Sequence, residues 1–306
     1  MCLIAFAIGA STRWPLVIAA NRDEFLNRPT RPLEIWRSDS GQEIISGRDL
    51  RAGGTWMGIT RGGRVAFLTN VREAHPLAAS RSRGELVTRW LDQSCDANAF
   101  ALTLEEHHAA YGGFNLVLGD FQRNAWTWLT NKFATGTSAW HSQSLPPGVY
   151  ALSNAALNTP WPKACALKAI LTAALTAQAG TPEPHAVQAL QSLLWAALAS
   201  RKRAPRENLP SSGVPLALEE ALSSAFVESP DHAYGTRSST VLLASAQHSL
   251  TGAEHWNVQV EEHTPRRDRC GQLQGGDQAD AIPNHGLTPP QSSCYVIPWY
   301  QRQLRR

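Results

Sequence analysis

The chain has 306 residues, 43% of them hydrophobic, and a formal net charge of only +3, with its arginines scattered along the sequence. That composition suffices for a large core and excludes a nucleic-acid surface, which needs basic residues gathered on one face. Five cysteines, an odd number at wide spacing (Cys2, Cys95, Cys165, Cys270 and Cys294), contain no C-x-x-C pair and hence no disulfide framework or zinc ribbon. No secretory leader opens the chain, and no apolar run reaches the roughly 18 residues that span a bilayer, so a cytoplasmic protein in a reducing compartment is expected.

Two short apolar runs, Met1 to Ile8 and Pro15 to Glu24, flank the turn residues Gly9, Ser11 and Thr12 and predict a β-hairpin. A turn centred on Ser11-Thr12 pairs position n with 23 − n, which sets Cys2 opposite Asn21 with Arg22 and Asp23 adjoining. Methionine ahead of so small a residue is usually removed, and Cys2 would then carry both a thiol, of pKa about 8.5, and a free α-amine, of pKa about 7.7–8.0. One residue could thus supply nucleophile and base. Equally, Cys2 could be a small apolar residue starting a buried strand, the common fate of a free cysteine.

From Asn27 to Gly63 the sequence is rich in Pro, Arg and Gly and predicts mostly loop, with short strands only at 33–36 and 56–59. Gly53-Gly54 serves either a tight turn or close backbone approach to a ligand. A strand is predicted over Arg64 to Asn70, its polar end leading into a loop. Ser82-Arg83-Gly84-Glu85 has the capping-box pattern, and Leu86, Val87, Trp90 and Leu91 then share one helical face. Residues 114–119 and 125–130 predict a hairpin, and a strand over 148–153 leads into Asn154.

After Pro160-Trp161-Pro162 the period changes. Leu167, Ile170, Leu171 and Ala174, then Val187, Leu190, Leu194 and Ala197, mark two helices interrupted by Gly180-Thr181-Pro182. The basic stretch 201–206 reads as a solvated loop. A third helical stripe, Leu218, Leu222 and Phe226, precedes strands at 240–243 and 256–260. Strands at both ends with helices between fit an α+β chain whose helices cover its sheets. Residues 1–263 are expected to form one domain. Residues 264–306 are expected to be a disordered or loosely docked tail, dispensable for folding, with Gly271 to Pro290 rich in Gly, Gln, Asp and Pro and Tyr295 to Tyr300 able to dock as a short apolar anchor.

The run Asn21-Arg22-Asp23-Glu24 resembles the signature of the NRDE, or transport and Golgi organization 2-like, family. The resemblance continues through Asn27-Arg28-Pro29-Thr30, Gly53-Gly54-Thr55-Trp56, Thr69-Asn70-Val71-Arg72, Ser82-Arg83-Gly84, Leu152-Ser153-Asn154 and Tyr234-Gly235-Thr236-Arg237-Ser238, over about residues 1–262. The family in turn is similar to the cysteine branch of the N-terminal-nucleophile hydrolases, the choloylglycine hydrolases and penicillin V acylases. That similarity implies a four-layer αββα sandwich with Cys2 at the end of a central strand. The implied chemistry is hydrolysis of a small acyl-amide through an acyl-thioester on Cys2.

On those terms Asp23 orients the α-amine, and Arg22 or Arg237 favours the thiolate. Asn154 resembles the branch's side-chain donor to the oxyanion, though it reads equally well as a strand-to-loop cap. Asn21, Asn70, Trp56 and Gly54 are the candidate substrate-binding residues. In the branch the early arginine and aspartate stand three residues apart, whereas Arg22 and Asp23 are adjacent, and adjacent strand residues point to opposite faces. The expectation is that Asn21 and Asp23 face the thiol while Arg22 serves the fold in a buried ion pair, with Glu24 a candidate partner. No metal or required cofactor is expected, since neither H-E-x-x-H nor C-x-x-C-H occurs. The resemblance also admits a non-catalytic carrier of haem or of an acyl-lipid such as acyl-CoA, or a secretory-pathway organiser that needs no reactive thiol.

Overall fold

The computed structural model describes residues 2–76, 78–133, 139–177, 185–247, 255–265 and 291–300. Strands β1 (Cys2–Ile8) and β2 (Leu16–Phe25) form the predicted hairpin, but in a register that pairs n with 24 − n, so Cys2 stands opposite Arg22 and Ile4 opposite Ala20. The expected pairing of Cys2 with Asn21 is corrected by the side chains themselves. Cross-strand partners share a face. The even register gathers Cys2, Ile4, Phe6, Ile18 and Ala20 on one face and Leu3, Ala5, Ala7, Val17 and Ala19 on the other. A slip of one residue would mix the two sets. The connecting loop is longer than a two-residue turn, and Gly9 closes it at φ +56°, its N–H donating to the Pro15 carbonyl at 2.8 Å.

The second sheet is antiparallel throughout, with its strands adjacent in chain order: β3 (Thr30–Arg37), β4 (Glu43–Asp49), β5 (Met57–Ile59), β6 (Arg64–Asn70), β7 (Phe114–Asp120), β8 (Ala125–Thr130) and β9 (His141–Ser144). Strands β3 and β4 replace much of the loop expected there. The apolar pattern is faint because β3 is an edge strand in which Leu33 alone is fully buried. Later segments β10 (Gly148–Leu152), β11 (Glu228–Ser229), β12 (Tyr234–Gln247), β13 (His255–Thr264) and β14 (Gln291–Tyr300) join the first hairpin. That sheet runs β10-β1-β2-β12-β13-β14, with β11 paired to β12.

Helices α1 (Gly84–Asp92) and α2 (Ala97–Glu105) cover the outer face of the second sheet, Trp90 and Phe100 packing with Ala66 and Leu116. Helices α3 (Pro162–Ala177) and α4 (His185–Leu198) cover the first, setting Leu171 and Leu190 among Ala5, Val17 and Leu243. The third predicted helix shrinks to α5 (Leu216–Ala221); Leu222 and Phe226 are buried beyond its end. Between the sheets the inner faces interdigitate, Phe6 meeting Phe67 edge-on at 5.0 Å. The layers are therefore α, β, β, α, the α+β four-layer sandwich expected. Among the described residues no helix is long and apolar enough to cross a membrane.

Part of the chain beyond Thr264 belongs to the first sheet. β14 pairs with β13 along its length, and Ile297 and Trp299 are buried between the sheets. Trp299 Nε1 donates to the Thr60 carbonyl at 3.0 Å, tying the last described strand to the opposite sheet. The Gly180-Thr181-Pro182 interruption, residues 266–290 and residues 301–306 lie outside the described residues. Truncating Trp299 to alanine should cost about 3–5 kcal/mol, the range for a buried aromatic, and removing residues 291–306 should lower the melting temperature. Urea and thermal unfolding followed by circular dichroism measure both, and unchanged midpoints would show that β14 adds nothing to the core.

Candidate functional site

Cys2 and Arg22, as a cross-strand pair, share the inter-sheet face at one end of the first sheet. This reverses the expected orientation, because Asn21 and Asp23 then point toward the helices. Asn21 is fully buried, and its Nδ2 donates to the carbonyls of Leu198 and Ala225, each at 2.9 Å, anchoring the end of α4. It is a structural residue and does not line the cavity at Cys2. Arg22 does pair with Glu24, at 3.7 Å, as expected, while also walling that cavity.

A β-bulge at Arg237 completes the arrangement. β12 pairs Thr236 with Asp23 and Ser238 with Arg22, so one extra residue is absorbed between them. Thr236 is thereby turned to the helix side, where its Oγ1 donates to Asp23 Oδ1 at 2.7 Å. Lys163 Nζ, from α3, lies 3.9 Å from Asp23 Oδ2, and the Tyr234 hydroxyl donates to the Asp23 carbonyl at 2.7 Å. Arg237 Nη1 reaches the carbonyls of Phe25, Leu26 and Arg28 at 3.0, 2.7 and 3.0 Å. It lines a neighbouring cleft of about 140 Å³, not the thiol's cavity, and holds in place the turn that carries Arg28.

The Cys2 cavity has a volume of about 370 Å³ and includes Asp23, Trp56, Leu68 and Asn70 in its wall. Burial pushes the Cys2 thiol above its ordinary pKa, and the Asp23 charge adds to this. The N-terminal ammonium, the Arg22 guanidinium and a hydrogen bond from the Asp23 backbone pull it down without cancelling the burial effect. Loss of hydration likewise pushes the Asp23 carboxyl up and the Lys163 ammonium down, and their mutual attraction opposes both shifts. Behind them Arg72 and Glu219 form a buried ion pair, with the Arg72 guanidinium stacked on Trp161 at 4.6 Å.

Asn154 lies just past β10, where Ser153 Oγ donates to the Cys2 carbonyl at 3.2 Å. The Asn154 Nδ2 donates to the Asn70 carbonyl at 2.9 Å, and its own carbonyl accepts the Arg72 N–H at 2.8 Å. It lines a separate opening of about 600 Å³ and not the Cys2 cavity. Asn70 does line that cavity, and its side-chain amide has no hydrogen-bond partner among the described residues. Trp56 is in the wall as expected. Gly54 is not: a Cβ there would lie 2.4 Å from the Gly84 carbonyl carbon, so glycine is required for the backbone to pass the start of α1.

The remaining wall was missed in the sequence. Arg28, Arg48, Arg81 and Arg83 all line it, together with Asp49 and Ser82. Their signal lay in the motif segments Asn27-Arg28 and Ser82-Arg83-Gly84, which read locally as loop and capping box. The capping box does not form: Arg83 is the N-cap and makes no side-chain cap bond. Glu85 instead pairs with Arg81 at 2.5 Å and accepts the Tyr111 hydroxyl at 2.5 Å. Among the described residues no cluster of His, Cys, Asp or Glu could hold a metal ion.

Residues 1–257 match the family model described as Transport and Golgi organisation 2, and the chain belongs to that family. It is 32% identical to the Transport and Golgi organization protein 2 homolog of Bos taurus over 268 residues, covering 83% of this chain and 92% of the relative. It is 30% identical to the Homo sapiens homolog over 280 residues, covering 86% and 99%. Two solved structures show a distant likeness in fold. An N-acylethanolamine-hydrolyzing acid amidase ortholog of Caenorhabditis elegans gives a TM-score of 0.43 at 12% identity, covering 79% of this chain and 92% of that one. A mutant conjugated bile acid hydrolase of Clostridium perfringens gives 0.41 at 8%, covering 90% and 95%. Likeness at this level leaves the chemistry to the residues.

Two outcomes test the electrostatics. Glu219→Ala strands the Arg72 charge in the interior and should destabilise the fold by about 3–5 kcal/mol in denaturant titration. Alkylation of Cys2 by iodoacetamide should rise with pH through and beyond the ordinary thiol range near about 8.5. Arg22→Gln should move that profile further up, because it removes a charge that favours the thiolate; a profile unmoved by the substitution would show that Arg22 does not act on the thiol.

Proposed function

We propose that this member of the Transport and Golgi organisation 2 family is a cysteine N-terminal-nucleophile hydrolase that cleaves the C–N bond of a small acyl-amide. The observation that supports this most directly is a buried thiol at the chain's start, opening on a cavity with Arg22 on its own face and Asp23 at the same strand end. With Met1 removed, the α-amine of Cys2 takes the thiol proton, and Sγ adds to the substrate's carbonyl carbon. The Asn70 amide donates to the oxyanion, the place assigned in the sequence to Asn154. Collapse breaks the C–N bond, and the departing nitrogen takes the proton back from the α-ammonium, leaving an acyl-thioester. Water then adds to the acyl carbon and gives its proton to the amine. Collapse releases the carboxylic acid and returns that proton to sulfur.

Asp23 is the counter-ion of the ammonium in this scheme, held at the strand end beside Cys2 by Thr236 and Lys163. Haem, the alternative ligand, would find Cys2 as its one axial donor in the described wall of the cavity, which holds no His, Met or Tyr, and its propionates would meet the wall's five arginines. No step is assigned to it. A carrier of acyl-CoA is the reading that remains if no turnover is found.

Intact mass should show Met1 removed, and turnover over a panel of acyl-amides and acyl-thioesters should vanish in Cys2→Ala. Asn70→Ala should lower kcat about 10²–10³-fold, as loss of one oxyanion donor does. The rate should rise as pH passes the amine's ordinary range of about 7.7–8.0, since the base must first lose its proton. Turnover surviving in Cys2→Ala would eliminate the mechanism. Saturable acyl-CoA binding by a wild type that turns nothing over would establish the carrier instead.

A further inference from the structure

Five guanidiniums line the Cys2 cavity, and their partners differ in a telling way. Arg22 lies 3.7 Å from Glu24, Arg28 2.5 Å from Asp49, and Arg81 2.5 Å from Glu85. The third carboxylate of the wall, Asp23, faces Lys163. Arg48 and Arg83 have no carboxylate within 4.0 Å among the described residues. Arg48 is stacked on Trp36 at 4.3 Å, and its buried Nε has no hydrogen-bond partner among the described residues. Arg83 spends one Nη1 hydrogen on the Gly113 carbonyl at 2.9 Å, and burial depresses its pKa, the mark of a cation short of solvation.

These two cations stand in the same wall as the start of α1. Ser82 lines the wall and Arg83 makes no side-chain cap bond, so the positive end of the helix adds to their field. Planar guanidiniums match the oxygens of a carboxylate or phosphate better than any other ligand group.

We propose that the Cys2 cavity holds an anionic group of its ligand, a carboxylate or a phosphate, between Arg48 and Arg83 at the uncapped start of α1. The substrate class is then an N-acyl amide bearing that anion at a distance from the scissile bond. The word substrate rests on the reaction proposed for Cys2; the anion contact does not.

The test uses the full chain with Cys2→Ala, so that binding is read without turnover. Two matched pairs serve as probes: N-decanoylglycine against its methyl ester, and N-decanoyl-phosphoethanolamine against N-decanoylethanolamine. In calorimetric titration at least one anionic member should bind about tenfold more tightly than its neutral partner, the effect of one charge-assisted hydrogen-bond set. Which pair shows the preference distinguishes carboxylate from phosphate. Arg48→Gln should bring the ratio to about one, with the thermal midpoint reporting that the fold is intact. Arg83→Gln is the second variant, kept apart because Arg83 also supports Gly113. Equal affinity within both pairs, no binding by any probe, or a preference that survives both substitutions would overturn the anion site. Wild-type turnover of a neutral probe without any anionic preference would sink the anion site and leave the reaction standing. Preference without turnover would do the reverse.

Discussion

The pairing of Cys2 with Arg22 is the constraint on which the rest of the site depends. It arises far from any chemistry, in the requirement that Ile4, Phe6, Ile18 and Ala20 share the inter-sheet face while Ala5, Ala7, Val17 and Ala19 make room for α3 and α4. Once that register is set, the thiol must face the second sheet and Asn21 must face the helices. The β12 bulge then lets one strand serve both faces, giving Thr236 to Asp23 and Ser238 to the Arg22 side. Under regular alternation Thr236 and Ser238 would share the inter-sheet face, and Asp23 would lose the hydroxyl that fixes it.

Burial is the dominant electrostatic influence in this region, and it acts on cation and anion alike. It raises the Cys2 thiol and the Asp23 carboxyl and lowers Lys163 and Arg72, so every charged form here stands only through its neighbours. The arrangement is a set of paired charges, Asp23 with Lys163 and Arg72 with Glu219, stacked behind the strand end that bears Cys2. Such pairs contribute little net stability, because desolvation consumes most of the attraction. What they do is fix positions: removing any one partner exposes the cost of burying the other.

Much of the fold was legible in the sequence because its core strands and long helices carry clean periods. The stripes of α3 and α4 are examples: Leu167, Leu171, Ala174, Leu190, Leu194 and Ala197 are buried, while Ile170 at one margin is exposed and Val187 partly buried. Where periodicity failed, the element lay at an edge. β3 has a single fully buried residue, and β14 follows a stretch of tail-like composition, yet Ile297 and Trp299 alternate inward. In the site, Cys2, Arg22, Asp23, Trp56 and Asn70 were named and do meet. Asn21, Gly54, Asn154 and Arg237 were named and serve the scaffold, since a residue's motif membership says nothing of which face it takes. The arginine wall was missed for a complementary reason: Arg28, Arg48 and Arg83 come from three separated segments, and only the second sheet and the start of α1 bring them together.

The adjacency of Arg22 and Asp23 departs from the three-residue spacing of the hydrolases the sequence resembles. In a strand, however, separations of one and three are both odd, and both send the two side chains to opposite faces. The change of spacing therefore preserves the division that matters, a guanidinium on the thiol's face and a carboxylate on the other. What it alters is reach. Asp23 sits level with Thr236 at the strand end, one residue beyond the Cys2–Arg22 pair. A carboxylate three residues on would stand at position 25, the last residue of β2, where Phe25 is exposed. The adjacent spacing keeps it buried, fixed by Thr236 and Lys163, the rigidity that the proposed orienting of an amine would require.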